Sequence, residues 1–157
     1  AKPLARVGIG VAIKQGAPVP DISSVDAWKQ SLLKARAIAY TDPASGGTAG
    51  TYLANLFERM GIAAELKPKT VLVKGGLAAE KLLTGEAEIA MQPTSELMAV
   101  PGAVVVGPIP LDVQTYIIYS GAVSTAARDQ SAADALLRAL WGPDKEALLK
   151  KKGMELP

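Results

Sequence analysis

Apolar positions come in short runs, and the spacing inside the runs switches between two periods. Arg6-Val-Gly-Ile-Gly-Val-Ala-Ile13 is almost continuously apolar and is stopped by Gly16-Ala-Pro18, the pattern of a short buried strand whose two glycines imply close backbone contact. Ser23-Ser-Val-Asp26 then has the form of a capping box, with Ser23 as N-cap and Asp26 in the usual Glu place, ahead of an amphipathic helix over 27–35. A strand over 36–40 feeds Thr41-Asp-Pro-Ala-Ser-Gly-Gly-Thr48, and 49–60 carries helical spacing that Gly61 ends. The cycle repeats with a strand over 70–73, the loop Lys74-Gly-Gly76, a helix over 77–83 and Gly85 as its stop. A strand over 88–92, a helical turn over 94–98 and a strand over 103–106 follow. Gln114-Thr-Tyr-Ile-Ile-Tyr-Ser120 is the clearest strand, after which 131–141 and 145–152 read as helices broken by Gly142-Pro143. Strands alternating with helices predict an α/β fold, a parallel or mixed sheet with helices on both faces.

Composition narrows the function more than the fold. A chain of 157 residues makes one domain, or one complete lobe with pieces of another. With 49% hydrophobic and 20% charged residues it has the apolar mass for a core. Its net charge of +2, with no basic stripe, excludes the electrostatic footprint of a nucleic-acid partner, and two Trp, four Tyr and one Phe are few for base stacking. His and Cys are absent, which removes the commonest general base, the commonest metal ligands and every thiol nucleophile. No catalytic residue, metal or cofactor is expected. No run reaches the roughly 18 consecutive apolar residues of a membrane helix, and the first residues lack a signal-peptide layout. Lys150, Lys151 and Lys152 read as a solvated helix end.

The richest segment is Asp42-Pro-Ala-Ser-Gly-Gly-Thr-Ala-Gly50, where small residues and backbone N–H groups open a helix. Such a start attracts anions, because several donors are unpaired and the helix dipole adds partial positive charge. The bland alternative is a loop in which Ser45 or Thr48 only caps the helix. The segment lacks the Lys-Ser/Thr ending of a Walker loop, and Gly8-Ile-Gly10 lacks the third glycine of a dinucleotide fingerprint. Lys74-Gly-Gly76 is either a second anion cradle or a tight turn. Gln92-Pro-Thr-Ser-Glu96 brings an amide and hydroxyls to the same sheet edge, unless Thr94 or Ser95 is a helix cap. Ligands of open α/β sheets bind at the carboxyl ends of strands, so the three segments reinforce one another. No Ser-x-x-Lys or Gly-x-Ser-x-Gly pattern supports a hydrolase.

Gly8-Ile-Gly-Val-Ala-Ile13, Ala39-Tyr-Thr-Asp-Pro-Ala-Ser-Gly-Gly-Thr-Ala-Gly-Thr-Tyr52, Gly85-Glu-Ala-Glu-Ile89, Val106-Gly-Pro-Ile-Pro110 and Lys151-Lys-Gly-Met154 together resemble bacterial extracellular solute-binding proteins of the molybdate-binding type. The resemblance spans nearly the whole chain, in the family's order. It implies a type II periplasmic binding fold, with two α/β lobes joined by crossing strands that close on a small ligand for an ABC transporter. On that mapping 1–20 is a hinge strand with a remnant of the first lobe, 21–110 is the complete second lobe, and 111–157 is the return hinge strand with C-terminal helices of the first lobe. The family's opening strand, helix and serine-bearing loops have no counterpart here. The resemblance therefore implies a member lacking an N-terminal segment, which either a second polypeptide or self-association would replace.

The resemblance implies backbone donors near Thr48–Ala49 and near Gly76–Leu77; with the loop residues read above, Ser45, Gly47, Thr48 and Ala49 are expected to hold an anion, Gly76 and Leu77 to add donors, and Gln92 and Ser95 to orient it. Molybdate binders of the family commonly carry a tyrosine where Pro93 stands, so the expectation is a general anion site for a tetrahedral oxyanion or a small organic acid. The expected function is the substrate-binding component of an ABC transporter, periplasmic or extracellular, with membrane subunits of the transporter as partners. The competing expectation is an oligomeric structural module without ligand binding, and an enzyme on the same scaffold is a third.

Overall fold

The computed structural model describes residues 1–157, which divide into two compact units. One comprises 8–115 and the other 1–7 with 116–157, so the chain passes between them at two points. The larger unit takes in 8–20 and 111–115 as well as the 21–110 stretch.

The larger unit is built on strands β1 (Lys2–Lys14, whose first residues belong to the smaller unit), β2 (Ile38–Thr41), β3 (Thr70–Val73), β4 (Ile89–Pro93) and β5 (Ala103–Pro108), in the order β3-β2-β4-β1-β5. β2 runs parallel to both β3 and β4, whereas β1 is antiparallel to β4 and β5. The sheet is mixed, with a register shift between Val11 and Ala12 against β5. Side chains of a strand alternate between faces, and here the two faces differ in size. Ala12, Ala90 and Ala39 lie side by side across three strands, and this small-residue row lets Ala78, Ala79, Leu82 and Leu97 pack closely on it. On the other parity, Tyr40 meets Phe57 edge-on at 5.7 Å, and Phe57 in turn meets Trp28 at 5.9 Å. Helices α1 (Val25–Lys34) and α2 (Thr48–Arg59) bring those aromatics, with Leu32 and Leu53 buried beside them in the same core. Short helices α3 (Ala63–Leu66), α4 (Glu80–Leu83) and α5 (Thr94–Leu97) complete the unit.

Three local expectations are corrected. The N-cap of α1 is Ser24, whose Oγ accepts the Ala27 N–H at 3.0 Å, while Ser23 donates both its N–H and its hydroxyl to Asp21. Asp21 makes the tighter local turn and shifts the cap by one residue. The helix expected over 77–83 begins only at Glu80, because i to i−3 bonds from Glu80, Lys81 and Leu82 form a tighter turn ahead of it. Gln114 lies outside the strand that sequence assigns to it, and its side chain serves a different purpose described below.

In the smaller unit β6 (Tyr116–Gly121) pairs with β1, and α6 (Gln130–Ala139) and α7 (Glu146–Lys151) follow. Asp129 caps α6 by accepting the Ala132 N–H at 2.8 Å. Arg6 fastens the C-terminal tail: its backbone bridges Glu155, its guanidinium reaches the Glu155 carboxylate at 3.2 Å, and it lies over the Tyr116 ring at 4.2 Å. No helix is long and apolar enough to cross a membrane.

Candidate functional site

Parallel strands β3, β2 and β4 end at one edge of the sheet, and the strand ends and the segments that follow them carry the expected ligand-binding residues. Ser45, Gly47, Thr48 and Ala49 follow β2, Gly76 and Leu77 follow β3, and Gln92 and Ser95 lie at and just beyond the end of β4.

The loop after β2 is folded by its own polar groups. Buried Asp42 accepts the Ala44 N–H at 2.9 Å and donates its own N–H to Val73 O across the sheet. Ser45 donates its hydroxyl to Asp42 O at 2.7 Å, closing one turn of 3-10 helix over Pro43–Ser45 that Gly46 ends with φ +83°. Gly47 then caps α2 and has no side chain to satisfy the helix start. The first bond of the helix runs from Thr51 N–H to Gly47 O, so the N–H groups of Thr48, Ala49 and Gly50 have no acceptor in the protein. Position 50 sits hard against the strand: a Cβ there would lie 2.0 Å from Thr41 O. Glycine lets the open turn of α2 approach the end of β2.

Gln92 binds the three loops together. It is 1% exposed; its Oε1 accepts the Ala78 N–H at 2.7 Å, and its Nε2 donates to Thr41 Oγ1 at 3.1 Å and Gly76 O at 3.2 Å. Both amide hydrogens are engaged, so Gln92 acts on the site through the loops it fixes. Among the other predicted residues, Thr48 and Gly76 are exposed and Leu77 is half-buried. Ser45 is exposed and its hydroxyl oxygen can still accept a hydrogen bond. Ser95 is half-buried on α5, and no hydrogen bond ties it to the Gln92 junction. The neighbouring Thr94 hydroxyl donates to Gly8 O at 3.2 Å. Burial pushes the Glu96 carboxyl above its ordinary range, and burial, aided by the Asp42 charge, pushes up the Tyr40 phenol.

Sequence reasoning misses Thr41, Ala78 and Gln114. Gln114 makes a reciprocal pair with the Ile9 backbone: its Oε1 accepts the Ile9 N–H at 2.9 Å and its Nε2 donates to Ile9 O at 2.8 Å. It replaces a strand neighbour with a side chain. The glycines of β1 make room for side chains: a Cβ on Gly8 would come within 3.1 Å of Gln114, and one on Gly10 within 2.8 Å of Thr94 Oγ1. None of these links has a local sequence spacing. Tyr52 has one near signal, its place in the 39–52 motif, and its hydroxyl donates to Val113 O at 2.6 Å.

The site thus offers a cluster of backbone donors and hydroxyls at a sheet edge, the chemistry of anion recognition. No group of three His, Cys, Asp or Glu residues is placed to hold a metal ion.

The chain is similar to known proteins at three levels. An aconitate isomerase from a Pseudomonas species is 39% identical over 148 residues, which is 94% of this chain and 55% of that protein. The chain spans just over half that relative's length. Among solved structures, the substrate-binding domain of a molybdenum ABC transporter from Clostridium difficile superposes with a TM-score of 0.76 at 18% identity, covering 99% of this chain and 66% of the other. The periplasmic molybdate-binding protein of Azotobacter vinelandii gives 0.66 at 16% identity over 99% and 67%, and Peb3 from Campylobacter jejuni 0.69 at 14% over 99% and 68%. These likenesses establish the mixed α/β fold of type II periplasmic binding proteins. The family model of bacterial extracellular solute-binding proteins matches residues 1–155, and the chain belongs to that family.

Proposed function

We propose that the chain is the substrate-binding component of an ABC transporter and that its ligand is a small organic acid. One carboxylate of that acid would be held by the N–H groups of Thr48, Ala49 and Gly50. The observation that carries this reading is the uncapped start of α2, held against loops that Gln92 fixes. Gly47 presents that start, Gly76 and Leu77 supply further donors, and the Ser45 and Ser95 hydroxyls orient the ligand. A carboxylate is preferred to a tetrahedral oxyanion because the 39% identical relative is named for aconitate, whereas the molybdate-related structures share 16–18% identity. The transporter's membrane subunits would receive the complex outside the cytoplasm, and a further stretch of polypeptide or a second copy would cover the apolar side chains of the smaller unit.

Thr48→Pro tests the reading with little disturbance to the fold. Position 48 is the first residue of α2, where proline is well tolerated, and Gly47 already has the extended backbone that precedes proline, at φ −69° and ψ 123°. The substitution removes one N–H donor from the site. A thermal-shift series with aconitate, citrate, molybdate and sulfate should show stabilisation by a carboxylate, about 2.7 kcal/mol at a hundredfold excess over Kd. Thr48→Pro should reduce that shift, while an exposed change such as Ala64→Ser leaves it intact. Equal shifts in both variants would contradict the assignment. A stable oligomer that no anion stabilises would favour the structural module instead.

The same relative favours a second reading, in which the scaffold isomerises an unsaturated polycarboxylate. A proton NMR time course of aconitate incubated with the protein separates the two, since a binding protein leaves the isomer ratio at its uncatalysed rate.

A further inference from the structure

At the edge of the sheet opposite the α2 start, where β2 and β4 begin, the larger unit carries a groove of about 460 Å³. Its floor is apolar, with Ile13, Leu82, Ala87 and Ile89 all less than a tenth exposed. Its rim is built rather than loose. The turn 14–17 is closed by Ala17 N–H to Lys14 O and contains Gly16 at φ +84°, and Gln15 N–H is anchored on Gly102 O. Pro18 and Pro20 stiffen the next stretch, which the Ser31 hydroxyl ties to α1 by donating to Asp21 O at 2.8 Å.

The charge around the groove is one-sided. Lys14, Lys34, Arg36 and Glu88 line it. Glu88 is occupied by Arg36, accepting its backbone N–H at 2.9 Å and lying 3.6 Å from its guanidinium, which also donates to Gly85 O. Neither the Lys14 nor the Lys34 ammonium has a carboxylate within ion-pair reach. The C-terminal carbonyls of α1 would repel an anion, but Lys69 donates to Leu33 O at 2.5 Å and Ala35 O at 2.7 Å and offsets them. An apolar floor within the size range of small-ligand sites, roughly 300–1,000 Å³, thus sits beneath two uncompensated cations.

We propose that this groove is a second ligand site, separate from the α2 start, for an organic monocarboxylate with a compact apolar body. The body lies on Ile13, Leu82 and Ile89, and the carboxylate sits between the Lys14 and Lys34 ammonium groups. Burial of the apolar body supplies most of the affinity, and the two charges select the anion over its neutral analogue.

Amide-resolved NMR titration with 2-naphthoate, 2-naphthalenemethanol and inorganic phosphate tests this on the whole chain. Naphthoate should give saturable shifts at Lys14, Ala35–Ala37 and Ala87, and the alcohol should bind the same residues about tenfold more weakly. Phosphate, lacking the apolar body, should leave them unmoved. Lys14→Glu combined with Lys34→Glu changes two exposed side chains, and such changes usually alter stability by less than about 0.5 kcal/mol. The pair should weaken naphthoate about tenfold and leave the alcohol unchanged. Ala17→Trp, which fills the rim, should block both. Shifts confined to 48–50 or to 130–151, equal binding of acid and alcohol, or indifference to the lysine reversals would each overturn the proposal.

Discussion

The Gln92 amide has one acceptor oxygen and two N–H groups, and the fold uses all three functions to join residues 41, 76 and 78. Its identity and its place at a strand end are readable in sequence, but its role is not, because its partners lie at the end of β2 and in the loop after β3, 14 to 51 positions away. The donors of 48–50 are readable, since they follow from a helix start preceded by glycine. Four residues beyond Gln92, Glu96 carries a carboxyl whose ordinary range is raised by burial alone. Its folded state therefore binds the proton more tightly than the unfolded chain does. That contribution to stability is fully present below the ordinary carboxylate range and is lost as pH rises through the raised folded value. Glu96→Gln, which stays neutral, should melt higher than the parent near neutral pH, by no more than about 0.5 kcal/mol after solvent screening. The advantage should vanish at about pH 4. Melting curves across that interval check it, and a constant difference at every pH would remove burial of the charged form as the cause.

Among the elements, length does not decide legibility: four-residue β3 falls on its predicted span 70–73, whereas the longest strand, β1, runs on to Lys2 beyond the predicted 6–13, and α3 has no predicted counterpart. α2 appears within one residue at each end of its predicted span, because apolar period, glycine start and Gly61 stop agree. α4 shrank because its expected first turn is held in a tighter form, where Gln92 takes the Ala78 N–H. Position 50 shows how tertiary contact overrules local propensity. Alanine in a helix is favoured over glycine by about 1 kcal/mol, so propensity alone predicts that Gly50→Ala stabilises α2. The added Cβ would lie 2.0 Å from Thr41 O and 2.9 Å from Thr41 C, both backbone atoms that cannot rotate aside. Forcing such a shift costs about 1–3 kcal/mol, occasionally more. The contact wins, and Gly50→Ala should lower stability by about 2 kcal/mol. Because the start of α2 must move away from β2, anion-induced stabilisation should fall with it. Urea denaturation with and without ligand measures both, and a stabilised variant would show that the approach is softer than the distance implies.

At the scale of the whole chain, the two units differ in how much of their apolar surface is buried. The buried hydrophobic residues run from Ala5 to Ile109, and none lies in 116–157. In the smaller unit Leu136 is 62% exposed, Leu140 53% and Leu148 57%, although α6 is amphipathic by sequence. Periodicity predicted this helix correctly, since it reports which side chains share a face; it carries no information on whether that face finds a partner. An isolated helix of six to ten residues is marginal in water, and its stability in a protein comes from packing. β2 and β4, by contrast, hold Ile38, Ala39, Tyr40, Ala90 and Met91 buried in the middle of the larger unit's sheet. Native-state hydrogen exchange should therefore be graded by unit. Amides of α6 and α7 should open at least about a hundredfold more readily than those of β2 and β4, a difference of about 2.7 kcal/mol. If an added polypeptide or a second copy covers the apolar residues of α6 and α7, protection there should rise with its concentration while β2 and β4 stay as they were. Uniform protection across 1–157 in the dilute chain would mean that α6 and α7 draw stability from something other than buried side chains.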